Sequence, residues 1–478
     1  MPRRRRLTAR LGIEHFLGPP NIVRLDLSKK LGSGQNMKFC QLSIVVVAVL
    51  GTGQLATAEI TEQSPRPNAR PVIEHVAFKI AGPIRPPLRP QAIEPDTNEI
   101  IPIKVASNAD LQMWISGFKK RAQRAGIDKR ILEDAFQDVR YDAKVIKRDR
   151  NQSEFTKTIW NYLDTAVSKA RIKNGKSAIA KHKKTLEAIE AKYGVDKEVV
   201  AAIWGLESAY GGFRGGNNVM QSLATLAYDG RRGAFFEEQL IAALKILQNG
   251  DTTPNNMTGS WAGAMGHTQF IPTSYLDYAV DFTGDGKRDI WSNDPSDALA
   301  STAAYLKKFG WITGQPWGVE VTISDGFDYT LANREIKKLP SEWASGGVKG
   351  ATGAVSDFGP ASVLLPAGSD GAAFLIFNNF SVIEEYNTAD AYVIGVGHLS
   401  DRLKGGPAIK SDWPRWDRAL SFDERQEMQR RLTQQGFDTD GIDGKIGPKT
   451  INAVRDFQLS KGARPDGYAS LGLLKKLR

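Results

Sequence analysis

The sequence holds a single cysteine in 478 residues, which excludes both a disulfide framework and a CxxC zinc site. It shows no internal repeat, so a solenoid or propeller is not expected. Its apolar run from Leu42 to Leu50 is well short of the roughly 20 residues that a membrane-spanning helix needs. Excess charge is scarce as well. The formal net charge is +11, but residues 1–58 carry nine Lys/Arg against two Asp/Glu, or +7, which leaves 11 − 7 = +4 for the other 420 residues. That remainder is an ordinary solubility charge with a mild bias towards an anionic polymer, and it gives no support to nucleic-acid binding. What is present is a composition of 24% charged and 41% hydrophobic residues, with 46 Gly and 23 Pro. Collagen, a coiled-coil rod and a wholly disordered chain are thereby excluded, and the length suggests two or three domains with a sizeable core.

Met37-Lys38, the apolar run and Ala56-Thr57-Ala58 together form the pattern of a secretory signal over residues 37–58. Residues 1–36 then read as an upstream over-extension; the alternative is a native basic tail before an uncleaved anchor. Cys40 precedes the apolar core, whereas a lipidated cysteine would follow it. The expectation is a chain without cysteine or stable membrane anchor after cleavage, in the periplasm. Residues 59–105 are dense in proline, which opposes helix and central strand, and read as an extended linker.

From Ser107 the pattern turns helical. Leu111, Trp114, Ile115 and Phe118 share one face before Gly126; Leu186, Ile189 and Tyr193 do so before Gly194; Leu299, Ala303 and Leu306 do so before Gly310. Short β-type runs near 318–332 and 370–378 suggest a small sheet. The expected fold is mainly α.

The segment from Lys197 to Tyr210 reads as one helix with Val199, Ile203, Leu206 and Tyr210 as its apolar stripe. Glu207 projects beside that stripe. A carboxyl group among apolar side chains loses hydration of its charged form and can hold a proton at neutral pH, as a general acid must. Helical spacing leaves a second reading open, in which Glu207 pairs with a Lys or Arg at the stripe's edge.

Ile203-Trp204-Gly205-Leu206-Glu207-Ser208-Ala209-Tyr210-Gly211 closely resembles the catalytic signature of lytic murein transglycosylases of the B type. Four further blocks match in order: Asp149–Thr156, Leu223–Arg232, Gly263–Pro272, and Asn379-Phe380 with Glu385-Tyr386-Asn387 and Tyr392. The resemblance implies a lysozyme-like α+β catalytic domain with a small sheet over residues 106–405. It also implies cleavage of the β-1,4 bond between N-acetylmuramic acid (MurNAc) and N-acetylglucosamine (GlcNAc) in peptidoglycan without water. Glu207 would serve as acid and then as base, and the muramic C6 hydroxyl would close a 1,6-anhydro ring. Ser208 would lie beside the acid, and Gln269, Tyr386, Asn387 and Tyr392 would line the sugar groove. No cofactor would be required. The partner would be a glycan strand, with other cell-wall enzymes as further candidates. Rival readings are a lysozyme-like hydrolase and a non-catalytic wall-binding protein.

Asp281, Thr283 and Asp285 stand at loop positions one, three and five, with Gly286 at six. Lys287 at seven offers its backbone carbonyl. Glu is missing at position twelve, which is Ser292, and Asp297 resembles a later calcium ligand of some relatives. A metal-free Asx turn accounts for the same residues.

Residues 406–420 form a connector with Trp and Pro. Ser421 and Glu424 make a capping box, Met428 and Leu432 continue a helix, and Pro448 with Ile451, Val454 and Phe457 begins another. With Asp443-Gly444, Gly447, Thr450 and Asp466-Gly467, residues 421–478 resemble a three-helix peptidoglycan-binding domain. A small helical dimerisation module is the plainer reading.

Overall fold

The computed structural model describes residues 107–150 and 157–478. The leader at 37–58 with Cys40, the proline-rich stretch 59–105 and residues 151–156 of the Asp149–Thr156 block lie outside the described residues.

Local signals set the outer helices. Ser107 and Asp110 form a capping box that starts helix Asn108–Arg124, and Leu111, Ile115 and Phe118 are buried on its inner face. Trp114 stacks on Phe118 with ring centroids 5.3 Å apart. Helix Lys183–Tyr193 buries Leu186 and Ile189 and ends on Gly194 in the left-handed region, φ 69°. Helix Ser296–Lys308 buries Leu299, Ala303 and Leu306. All three pack into one large core. No helix among the described residues is long and apolar enough to cross a membrane.

The helix carrying Glu207 departs from expectation in two ways. It is not amphipathic: Val200, Ala201, Ala202, Trp204 and Gly205 are buried as well as Val199 and Ile203. A helix apolar all round belongs in the centre of the core, and this one lies there. It also ends at Ser208, because Ala209 and Tyr210 adopt φ of 50° and 61°. Left-handed backbone at non-glycine residues costs on the order of 1–3 kcal/mol each and persists where surroundings over-determine it. Here the Tyr210 ring is clamped between two helices. A Cβ at Gly205 would stand 2.6 Å from the ring, and one at Gly175 would stand 2.3 Å from its hydroxyl oxygen. The hydroxyl donates to Arg171 O at 3.0 Å, and the Arg171 guanidinium donates to Gly205 O.

The expected small sheet is four antiparallel strands in the order Val348–Gly350, Gly318–Ile323, Ala373–Ile376, Ser362–Leu364. Its separate core includes Val321, Trp343, Val363, Leu375 and Phe377. A two-residue pairing of Asn217–Asn218 with Thr258–Gly259 closes the loop after the Glu207 helix.

The C-terminal module consists of helices Phe422–Gln434, Pro448–Ser460 and Leu471–Leu477 around Met428, Leu432, Val454, Phe457 and Leu474. The Ser421–Glu424 capping box forms as expected. The connector is pinned along its length. Glu320 accepts from the Lys410 and Ser411 backbone, Trp413 packs near Trp160, and Arg415 pairs with Asp164 at 2.8 Å. The module itself touches the sheet region: Ser369 N donates to Asp466 Oδ2 at 2.9 Å, and Arg455 donates to Ala332 O.

Candidate active site

Glu207 emerges half-buried in the last turn of its helix. Its Oε1 accepts the Tyr392 hydroxyl at 2.8 Å. Tyr392, only 4% exposed, stands on helix Asp390–Lys404, which packs closely along the Glu207 helix. Gly395 permits that approach, since a Cβ there would lie 3.0 Å from the Tyr162 ring and 3.4 Å from Leu206. Packing thus brings together two residues that are 185 positions apart.

Ser208 lies beside the acid but does not face open space. It is 1% exposed; its hydroxyl donates to His267 O at 2.5 Å and accepts Gly211 N at 3.0 Å. It therefore fastens the turn after Glu207 to the Gly263–Pro272 segment. His267 is buried behind that turn. Trp204 Nε1, which can only donate, meets His267 Nδ1 at 3.1 Å, which assigns the ring's proton to Nε2, 2.8 Å from Ser292 O and 3.2 Å from the Arg214 guanidinium. Burial is the main cause holding the His267 pKa below its ordinary value, in keeping with this neutral form.

Gln269 adopts φ 56° and donates to Arg214 O at 3.0 Å and Gly266 O at 2.8 Å. Tyr386, half-buried, donates to Thr268 O at 2.5 Å, which sets it next to Gln269 in the chain. Asn387 turns its side-chain oxygen to Ala389 N at 3.1 Å, ahead of helix Asp390–Lys404. Glu207 and Tyr392 are thus in direct contact, Ser208, Gln269 and Tyr386 meet on the 266–269 segment, and Asn387 shapes the approach to Tyr392.

The remaining motif blocks are joined by charge. Asp149, 2% exposed, accepts from Arg231 at 2.8 Å and from Arg232. Two acids, Glu384 just before Tyr386 and Asp390 just before Tyr392, both pair with Arg334. The sequence places Tyr210 on an apolar stripe and His267 within a motif block, but shows neither the contacts they make nor the Arg334 pairs. The glycines at 175 and 205 leave the room that the Tyr210 ring fills.

The acidic loop closes on itself. Oxygens of Asp281, Asp285 and Asp297 lie within 4.8 Å of one another. Asp297 is 2% exposed and takes backbone N–H groups from Phe282, Thr283 and Asp289 at 2.9–3.0 Å. Burial, the foremost cause, raises the Asp297 carboxyl above its usual range. Backbone donors, Gly286 first, hold Asp281 below it. Thr283 Oγ1 lies 3.4 Å from Asp281 Oδ1, and Lys287 N donates to Asp285 at 2.9 Å. Hard oxygens gathered around a buried carboxylate suit a divalent cation of the calcium type.

The chain is also similar to known proteins. A family model described as a transglycosylase SLT domain matches residues 110–401, and one described as a putative peptidoglycan binding domain matches residues 422–477. The chain is 29% identical over 310 residues to membrane-bound lytic murein transglycosylase B of Escherichia coli (strain K12), covering 62% of this chain and 83% of that protein. The crystal structure of SltB3 from Pseudomonas aeruginosa in complex with NAG-anhNAM-pentapeptide is 49% identical with a TM-score of 0.75, covering 77% of this chain and 99% of that one. The Escherichia coli lytic transglycosylase Slt35 in complex with calcium is 29% identical with a TM-score of 0.53, covering 63% and 94%.

Proposed function

The chain belongs to the transglycosylase SLT family and is a lytic transglycosylase of peptidoglycan with a lysozyme-like α+β fold; on that footing we propose that Glu207 alone carries both proton transfers. The carboxyl protonates the glycosidic oxygen between MurNAc and GlcNAc, and the C1–O bond breaks. The resulting carboxylate takes the proton of the muramic C6 hydroxyl as that oxygen bonds to C1. The product is a 1,6-anhydro end, and the carboxyl is restored. A tethered hydroxyl has a high effective molarity, so no second carboxylate is needed to activate water. The observation that carries this reading is the hydrogen bond from Tyr392 to Glu207 Oε1 at 2.8 Å. It orients the carboxyl and stabilises its charged form after the first transfer. Glu384 and Asp390, both held by Arg334, are poor candidates for a second acid. Gln269, Tyr386 and Asn387 offer amide and phenol groups suited to sugar hydroxyls and acetamido groups. Released ends that resist borohydride reduction are expected; reducible ends would refute the proposal.

Asp281, Asp285 and Asp297, with the Thr283 hydroxyl and the Lys287 carbonyl, would hold calcium as a structural ion. A ligand that binds only the folded form stabilises it by RT ln(1 + [L]/Kd), about 2.7 kcal/mol at a hundredfold excess over Kd. Millimolar calcium should raise Tm, and Asp285→Ala should remove the rise. A melting curve unmoved by calcium or chelator would leave the loop as a plain Asx turn.

We assign wall attachment to residues 421–478 and export to the leader at 37–58, which places the enzyme in the periplasm. Tethering raises the local substrate concentration around a separate groove. Removal of residues 421–478 should leave turnover of short soluble glycans nearly unchanged and weaken activity on insoluble sacculi. Equal losses on both substrates would mean that the module completes the catalytic fold.

A further inference from the structure

We propose that Phe213 is a stacking platform for one pyranose ring of the glycan strand beside the bond that Glu207 cleaves, an inference that rests on the reading of Glu207 above. Phe213 is 80% exposed, the most exposed large hydrophobic side chain among the described residues. A single exposed apolar residue is ordinary on a surface. The loop that presents this one is not. It follows Glu207 directly and is held at nearly every step. Phe213 N donates to Ser208 O at 2.9 Å, so the ring's own backbone is bonded to the residue after the acid. The Arg214 guanidinium donates to Trp291 O at 2.7 Å, to Ser292 O and to Asn293 Oδ1 at 3.1 Å. Arg214 O accepts from Gln269. Gly215 lies so close to Gly259 that a Cβ would stand 2.2 Å from its carbonyl. Ala209 and Tyr210 hold strained left-handed backbone at the loop's start.

Strain kept at a site points to a use for the geometry it enforces. What this loop enforces is the position of the Phe213 backbone close after the acid, so binding there has one side chain to order and no loop. A pyranose ring with equatorial substituents presents a flat C–H face, and its hydroxyl and acetamido edges remain for polar partners such as Gln269. An aromatic ring covers that C–H face without requiring any polar group to be desolvated.

The test is steady-state kinetics of the full chain on soluble GlcNAc–MurNAc oligomers that carry peptide stems. Phe213→Ala should raise KM about tenfold, the scale of one stacking contact, with kcat within about twofold, the mark of a contact made equally in ground and transition states. Tm should not move, because the side chain packs on little. Phe213→Trp should restore KM, and Phe213→Leu should not. An unchanged KM in Phe213→Ala, or a Phe213→Leu enzyme equal to Phe213→Trp, would overturn the platform. Failure of the Glu207 reading would show elsewhere, as reducible ends released by the wild-type enzyme.

Discussion

Glu207→Gln should abolish glycan cleavage while leaving the fold and wall binding intact. The amide keeps the size of the carboxyl, and its oxygen can still accept the Tyr392 hydroxyl that now meets Oε1 at 2.8 Å. The substitution therefore removes the transferable proton without opening a cavity or orphaning the buried tyrosine. Loss of one general acid–base group typically costs 10²–10⁴ in rate. In the proposed reaction the same group serves both steps, so the loss should lie at or beyond the upper end. Release of soluble fragments from sacculi measures the rate, and thermal melting and sacculus pelleting measure the rest. Activity near wild type would rule out Glu207 as the acid.

The second large effect is on stability. Asp149→Ala should destabilise the protein by about 3–5 kcal/mol, because it leaves two guanidinium groups without their shared counter-ion. The side chains of Asp149, Arg231 and Arg232 are only 2%, 19% and 4% exposed, so water cannot readily replace the carboxylate. Burial is already the foremost cause lowering the Arg232 pKa, and Asp149 is the main cause opposing it, so removal of Asp149 tips that balance further towards the penalty. By contrast the neighbouring Arg150–Asp229 pair has a 44% exposed arginine, and pairs of that kind contribute roughly 0–1 kcal/mol. Denaturant midpoints measured for Asp149→Ala and Arg150→Ala should differ in that order. A loss below about 1 kcal/mol for Asp149→Ala would mean that the two arginines find other partners in the fold.

What could be read before folding was local. Leu111, Ile115 and Phe118 recur at helical spacing and are buried; Ser421 and Glu424 form their capping box; the turn residues around Gly286 gather Asp281 and Asp285. Such features depend on neighbours a few positions away. The Glu207 helix was harder. Its periodicity suggested a stripe, but it is buried on all sides, and whether a face is covered depends on helices far along the chain. The turn at Ala209-Tyr210 was also hidden, because left-handed backbone at a tyrosine is unfavourable unless Gly175, Gly205 and Arg171 build its socket. The motif places Ser208 beside the acid, but the bond from its hydroxyl to the His267 carbonyl joins residues 59 positions apart and has no local signal. Asp149 with Arg231 and Arg232 joins residues about 80 positions apart, and no pattern of charge within either block reveals the pairing.

In the proposed reaction the C6 hydroxyl of the substrate, and not water, attacks C1 after Glu207 has protonated the glycosidic oxygen. Digestion of purified peptidoglycan in ¹⁸O-labelled water, followed by mass spectrometry of the released glycans, tests this most directly. The expected products are 1,6-anhydromuramic ends that carry no label, since no water enters them. Labelled, reducible ends would contradict it, and a second carboxylate would then have to position the attacking water.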